Sequence, residues 1–305
     1  MDQNQFHSPA TQSPKFGETG LILGRSGQLG RALGRVFPKA VQWGREEADF
    51  LTPDQWVGRI AELRPAWVIN ANAYTAVDLA EKPEEKDRAF QVNAATPGRV
   101  AEACRSLGIP FVHYSTDYVY PGADASVRPW SEEDPTGPLN FYGRTKLAGD
   151  EAIARVAGSF LIFRTSWAFD ETGKNFVNTM LRLGADRPEL RVVCDQIGAP
   201  SYAGDLAWAT REALMKAAQL ETFPSGVYHL CNSGETSWAG FAREIFTQAG
   251  VACRVTEIAS QDYPTPARRP LNSRMSLEKL RRTFGIEMPS WQDALRRCLK
   301  NRALG

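Results

Sequence analysis

The sequence is short of histidine: three residues, His7, His113 and His229, stand far apart in a chain of 305. A histidine-built metal centre is therefore not expected. Cysteine occurs five times (Cys104, Cys194, Cys231, Cys253, Cys298), an odd number with no CxxC pair. That argues against a disulfide frame or a zinc site and suits reduced thiols. Charge of one sign is also lacking, with 36 basic against 35 acidic side chains and a net charge of +1. Nothing electrostatic then points to nucleic acid or an anionic membrane as a partner. No run has the length and apolarity of a membrane span. Residues 1–18 are polar and proline-bearing, without the apolar stretch of a signal peptide, and read as a disordered extension. A soluble, cytoplasmic protein is expected.

What is present is alternation. "TGLILGRSGQLGRALGRVF" (19–37) passes from an apolar run through glycines into helical periodicity. Apolar runs recur at 40–43, in "AWVIN", in "IPFVHYST" and in "FLIFRTS". Between them lie the amphipathic stretch 53–64, which opens with proline, and a long helix through "AFQVNAATPGRVAEACRSLG", bent at Pro97 and ended by Gly108. Strands alternating with helices imply an α/β fold: a Rossmann-like doubly wound parallel sheet. After residue 167 the pattern loosens, which suggests a smaller C-terminal α/β region. The expected division is a dinucleotide-binding domain at 19–166, completed by about 200–232, with 167–199 and 233–305 binding substrate.

Gly24, Gly27 and Gly30 stand three apart between the first strand and its helix. A dinucleotide needs glycine there, so that backbone N–H groups and a helix N-terminus can meet its pyrophosphate. A tight turn using glycine for geometry alone is the plainer alternative. At the end of the second strand, where an acidic residue would take the adenosine ribose of NAD, the chain has Gly44 and Arg45, with Asp49 further on. Arg25 lies inside the glycine turn. A guanidinium can pair with a 2′-phosphate, so Arg25 and Arg45 lean to NADPH, with NADH the alternative.

Ser115, Thr116 and Asp117 fall at the carboxyl end of the fourth strand, the edge where such folds bind ligands. Tyr142 and Lys146 share one face of the next helix. A neighbouring cation lowers a tyrosine pKa, and Tyr142 is expected to gain acid strength in this way. An accidental pair on a solvated helix is the alternative, weakened by the order of glycine turn, Ser-Thr and Tyr-x-x-x-Lys on matching elements.

With "GQLGR" (27–31), "AYTAVDLAE" (73–81), "VNAATPG" (92–98), "STDYVY" (115–120), "NFYGRTKLAGD" (140–150), "RTSW" (164–167), "DQIGAPS" (195–201) and "PTPARRP" (264–270), the chain resembles the extended short-chain dehydrogenase/reductases, and within them the dTDP-4-dehydrorhamnose reductase family. The resemblance runs from about Leu21 to Leu299. It implies NAD(P)H-dependent reduction of the C4 ketone of dTDP-4-dehydro-6-deoxy-L-mannose to dTDP-L-rhamnose, for surface polysaccharide. Tyr142 would donate the proton, Lys146 hold the nicotinamide ribose and Thr116 orient the carbonyl. Gln28, Leu29, Asp49, Phe50, Asn72, Ala73 and Tyr74 would lie along the cofactor, and Asp117, Trp167, Asn175, Arg268 and Arg269 along the substrate. Magnesium, implied for some relatives, is tied to no residue here; a homodimer is possible.

The chain departs from that pattern with Arg25 and Ser26 in the turn, Gly44 for an acid, Asn72 for alanine, Pro121 for aspartate and Ser201 for threonine. A sugar-nucleotide 4,6-dehydratase would need glutamate where Tyr118 stands. Another 4-ketoreductase or a 4-epimerase remains open, and so does a non-catalytic binding subunit like that of methionine adenosyltransferase.

Overall fold

The computed structural model of the chain describes residues 19–122 and 128–304; the expected extension, residues 1–18, lies outside the described residues. The apolar runs form strands β1 (Leu21–Leu23), β2 (Val41–Trp43), β3 (Val68–Asn70), β4 (Phe111–Thr116) and β5 (Phe160–Thr165). A further strand, Gly226–His229, pairs with β5. The six run parallel in the order Gly226–His229, β5, β4, β3, β1, β2. Both faces are covered. Ile22, Ile69, Val112 and Leu161 pack on one side with Leu33 and Leu206, while Leu21, Val68, Phe111 and Ile162 pack on the other with Ile60 and Ile153. Successive strand residues thus serve opposite cores, which is why each strand reads as a continuous apolar run. The chain goes from β1 outward to β2 and returns to β3 on the other flank. The crevice between the carboxyl ends of β1 and β3 is therefore the ligand-binding position of such a sheet.

Two expected helices are divided. Residues 53–64 form a 3-10 turn, Pro53–Gln55, and a short helix, Arg59–Leu63. Trp56 and Val57 turn into the core, and the Trp56 indole donates to the Asp49 carbonyl at 2.7 Å, which draws the chain off a helical path. The long helix is three pieces: Pro83–Phe90, a π-helical turn Gln91–Ala95, and Thr96–Leu107. Pro97 has no N–H for the carbonyl of Asn93, and the wider turn before it is where the bend goes.

The second region has its own core of Phe169, Val177, Phe241, Ile245 and Leu295. It carries a parallel pair, Glu189–Val193 with Arg254–Ile258. The first of these strands had only a brief alternation to betray it. The two regions are tied by Arg31 and Asp170 at 3.0 Å. The helix Ala203–Ala217 returns to the sheet, packing Leu206, Ala213 and Leu214 into its core. No helix among the described residues is long and apolar enough to cross a membrane.

Candidate active site

At the end of β1, Gly24 turns with φ of 98°, a left-handed conformation that side chains resist. Its N–H reaches the Trp43 carbonyl at 2.8 Å, tying the turn to β2. A Cβ on Gly30 would lie 2.0 Å from the Gly24 carbonyl, and one on Gly24 would lie 2.9 Å from the Asn72 nitrogen. The protein's own packing demands these two glycines. Gly27 is different, because the nearest atom to a Cβ there is 3.5 Å away, an ordinary contact. It precedes helix α1 (Gln28–Val36), whose first turn has no side-chain cap. An uncapped helix start beside a bare glycine suits a bound phosphate. The turn fits a dinucleotide pyrophosphate, and a side chain at position 27 would intrude on it.

Both expected phosphate-binding arginines already have carboxylate partners. Arg25 pairs with Glu47 at 2.9 Å and Glu46 at 3.5 Å, and Arg45 with Asp49 at 3.4 Å. Glu47 also accepts the Gly44 N–H at 2.8 Å, and that bond, with Arg25, holds its carboxyl below the ordinary value. A Cβ on Gly44 would meet the Arg25 Nε at 3.0 Å, so Gly44 is the seat of this guanidinium.

The remaining residues expected along the cofactor are placed unevenly. Asn72 donates its N–H to Asn70 Oδ1 at 3.0 Å beside the glycine turn. Ala73 comes next on the same half-buried loop, and Tyr74 is clasped by Asn93 and bonded to Glu85 at 3.0 Å. Leu29 packs against the core and Phe50 is buried against Trp56. Gln28 accepts from Asn175 at 3.0 Å. Asn175 itself, expected along the substrate, caps helix Phe176–Asp186 through the Asn178 N–H at 3.0 Å.

β4 brings Thr116 and Asp117 to the sheet edge, and helix Phe141–Val156 sets Tyr142 and Lys146 one turn apart beside them. The helix start presses on the turn after β4, since a Cβ on Gly143 would lie 2.3 Å from the Tyr118 carbonyl. Lys146 is buried, donating to the Tyr114 carbonyl at 2.6 Å and lying 3.1 Å from His113 Nε2. Burial lowers its pKa to about 8, with Asp150 opposing. Burial also holds His113 well below its ordinary value, so its ring is neutral at pH 7.

The expected lowering of the Tyr142 pKa by Lys146 is not seen. Burial pushes the phenol above its ordinary value; a hydrogen bond with Thr116 opposes this and the Asp117 charge adds to it. The ammonium is directed at Tyr114 and His113 instead. Tyr142 therefore keeps its proton at neutral pH. Asp117 is buried with one carboxyl oxygen unpartnered, and burial raises its pKa to about 7 against hydrogen bonds from Ser273 and Thr116.

A cavity of about 1050 Å³ reaches this centre through Tyr118, with Phe176, Gln196, Trp238, Arg268 and Arg269 in its wall. The Tyr118 ring meets Tyr142 edge-on at 5.8 Å. Arg268 is exposed at the cavity, whereas Arg269 pairs with Asp78 at 2.7 Å. Trp167, with φ of 46°, stacks on Trp238 at 3.7 Å and lies over Gly198, behind the wall rather than in it. Among the described residues, no three His, Cys, Asp or Glu side chains group as a metal would require.

Two organising residues escape a reading of the sequence. Asn93 bonds the Tyr74 N–H and carbonyl at 2.9 and 3.0 Å and the Thr145 hydroxyl at 3.0 Å, fastening the loop after β3 to the Tyr142 helix. Asp150 accepts from Ser115 at 2.9 Å and pairs with buried Arg164 at 3.3 Å behind Lys146. The one signal for either is the asparagine inside "VNAATPG"; Arg164 stands on another strand.

A doubly wound sheet with a glycine turn after β1, and Thr116, Tyr142 and Lys146 gathered at the end of β4, defines an extended short-chain dehydrogenase/reductase. The family model described as the RmlD substrate binding domain matches residues 19–304, and the chain belongs to that family. It is 43% identical over 295 residues to the dTDP-4-dehydrorhamnose reductase of Burkholderia thailandensis, covering 92% of this chain and 98% of that one. Identity to the Escherichia coli K12 enzyme of the same name is 40% over 292 residues, covering 92% and 96%. The crystal structure of a Bacillus anthracis dTDP-4-dehydrorhamnose reductase in complex with NADP superposes with a TM-score of 0.87 at 33% identity, covering 94% of this chain and 100% of that one.

Proposed function

We propose that the chain reduces the C4 ketone of dTDP-4-dehydro-6-deoxy-L-mannose to dTDP-L-rhamnose with NADPH. The observation that carries this reading is the gathering of Thr116, Tyr142 and Lys146 at the end of β4, behind Tyr118, which lines a cavity with Arg268 and Arg269 in its wall. Reduced nicotinamide, when bound, supplies the hydride. Tyr142 holds the proton that the developing alkoxide takes from its hydroxyl, and Thr116 orients the carbonyl oxygen. Lys146 would hold the nicotinamide ribose. Gly24, Gly27 and Gly30 would cradle the pyrophosphate, with Arg25 and Arg45 turned to a 2′-phosphate. A phosphate can displace Glu47 from Arg25 because exposed ion pairs are weak. Arg268 is the cation best placed for the sugar's diphosphate, and Asp117, which accepts from the Thr116 hydroxyl at 3.0 Å, would fix that hydroxyl toward the substrate. In this division 19–166 with 200–232 serves the cofactor, and 167–199 with 233–305 the sugar nucleotide. A cytoplasmic location belongs to the same reading.

The test is NADPH oxidation, with NADH in parallel, on dTDP-4-keto-6-deoxyglucose supplied with its 3,5-epimerase. Oxidation that requires both sugar and epimerase is expected. A folded, NADPH-binding protein that oxidises nothing under these conditions would sink the assignment.

A further inference from the structure

The loop that walls the cavity does not rest on the cavity alone. It is fastened to the start of the Tyr142 helix by one side chain, Asn140, which is buried. Its Oδ1 accepts the Gly143 N–H at 2.8 Å, capping the helix, while its Nδ2 donates to the Arg268 carbonyl at 2.8 Å. The same loop is held a second time by Asp78, which accepts the Ala267 N–H at 3.2 Å and pairs with Arg269 at 2.7 Å. Three residues on from Asp78, Glu81 accepts the Phe141 N–H at 2.6 Å, the first of that same helix. The cavity loop, the segment after β3 and the helix bearing Tyr142 therefore meet around Asn140.

We infer that Asn140 is a positioning residue for the sugar nucleotide: it sets the loop bearing Arg268 and Arg269 in register with Tyr142. Its two bonds have separable jobs. The Oδ1 bond keeps the helix start in place, and the Nδ2 bond keeps the loop against it. The inference rests on the reductase reading for its substrate, but not for its geometry.

Asn140→Asp separates the two jobs. Aspartate is as good a helix cap as asparagine, so Gly143 keeps its acceptor and the chain should fold. It has no N–H for the Arg268 carbonyl, and one lost hydrogen bond corresponds to about a three- to tenfold weakening, which the aspartate, whose ionised oxygen also repels that carbonyl, should reach or exceed and a neutral serine should match. KM for the sugar nucleotide should therefore rise by about that factor, more than kcat falls, with the NADPH dissociation constant little changed. Amide hydrogen exchange over residues 264–271 should accelerate in the variant, which loss of a mere cap would not cause. Asn140→Ser, a cap too short to reach Arg268, should behave alike. A fall in kcat at unchanged KM, or unaltered exchange in the loop, overturns the inference. Should the wild type fail to reduce the sugar at all, the reductase reading falls, while the exchange measurement still decides the role of Asn140.

Discussion

The two ends of the binding crevice are built on opposite electrostatic terms. At the glycine turn the charges are exposed and paired with one another: Arg25 is 43% accessible and holds Glu46 and Glu47. At the end of β4 the charges are enclosed and their proton affinities displaced: Lys146 falls to about 8 and Asp117 rises to about 7, both through burial. Exposed pairs are weak, screened by salt and easily exchanged for a ligand. Enclosed groups are costly to ionise and hard to move: Lys146 and Asp117 are brought close to neutral pH, while burial pushes the Tyr142 phenol further up, so that it keeps its proton. Affinity for cofactor is thus the adjustable property, and the acid at the centre the fixed one.

The largest effect that would sharpen this contrast is at Tyr142. Tyr142→Phe removes only the hydroxyl proposed as proton donor and should lower kcat by about 10²–10⁴-fold while NADPH still binds, as read by fluorescence titration. Comparable turnover in mutant and wild type would break the assignment.

Asp117 comes next. Its folded pKa is about 7 against an ordinary 3.8. Between those values the folded protein holds a proton that the unfolded chain releases, so this group's contribution to stability is lost as pH rises from about 4 through 7. Asp117→Asn should remove that loss and stabilise the protein at pH 8 relative to pH 4 by a few kcal/mol. Parallel pH profiles of Tm in both proteins would refute it.

The glycines give a smaller effect and a finer distinction. Gly30→Ala forces a Cβ to within 2.0 Å of the Gly24 carbonyl and should lower stability by about 1–3 kcal/mol in urea denaturation. Gly27→Ala has room in the protein and should leave stability nearly unchanged while weakening NADPH binding. Smallest is Glu47→Gln, which takes away the nearer of Arg25's two carboxylate partners, leaving Glu46 at 3.5 Å, and should raise the NADPH-to-NADH preference by about two- to fivefold, less at high salt. A preference unmoved by it would remove Arg25 from the 2′-phosphate site.

Patterns that are local in sequence were legible. The strands of the sheet appear as apolar runs, the glycine turn as a spacing, and Tyr142 with Lys146 as one helix face. Non-local ties could not be read. Asn93 finds Thr145 across 52 residues, and Asn140 finds the Arg268 carbonyl across 128. The direction of the Tyr142 pKa was misjudged for the same reason: the spacing supplies a cation one turn away, but burial, set by the whole fold, decides the sign. Arg25 and Arg45 were visible as cations, whereas their engagement by Glu47 and Asp49 depends on a turn that composition does not specify.

The π-helical turn at Gln91–Ala95 bears on which length changes the chain can accept. Such a turn holds one residue more than an α-helix of the same rise would use. Deleting any residue in it would give a more regular helix and remove the local irregularity around Pro97. The flanking helices would keep their phase, because the π turn is what absorbs the extra residue, but the backbone at 91–95 that presents Asn93 would be rebuilt. Asn93 and its grip on Tyr74 would swing away from Thr145. Gly149, where a Cβ would lie 2.1 Å from the Asn93 carbonyl oxygen, would face nothing it was shaped for. The shorter, more ideal helix would belong to a protein without a working site, so a deletion there should be rarer among functional descendants than almost any substitution.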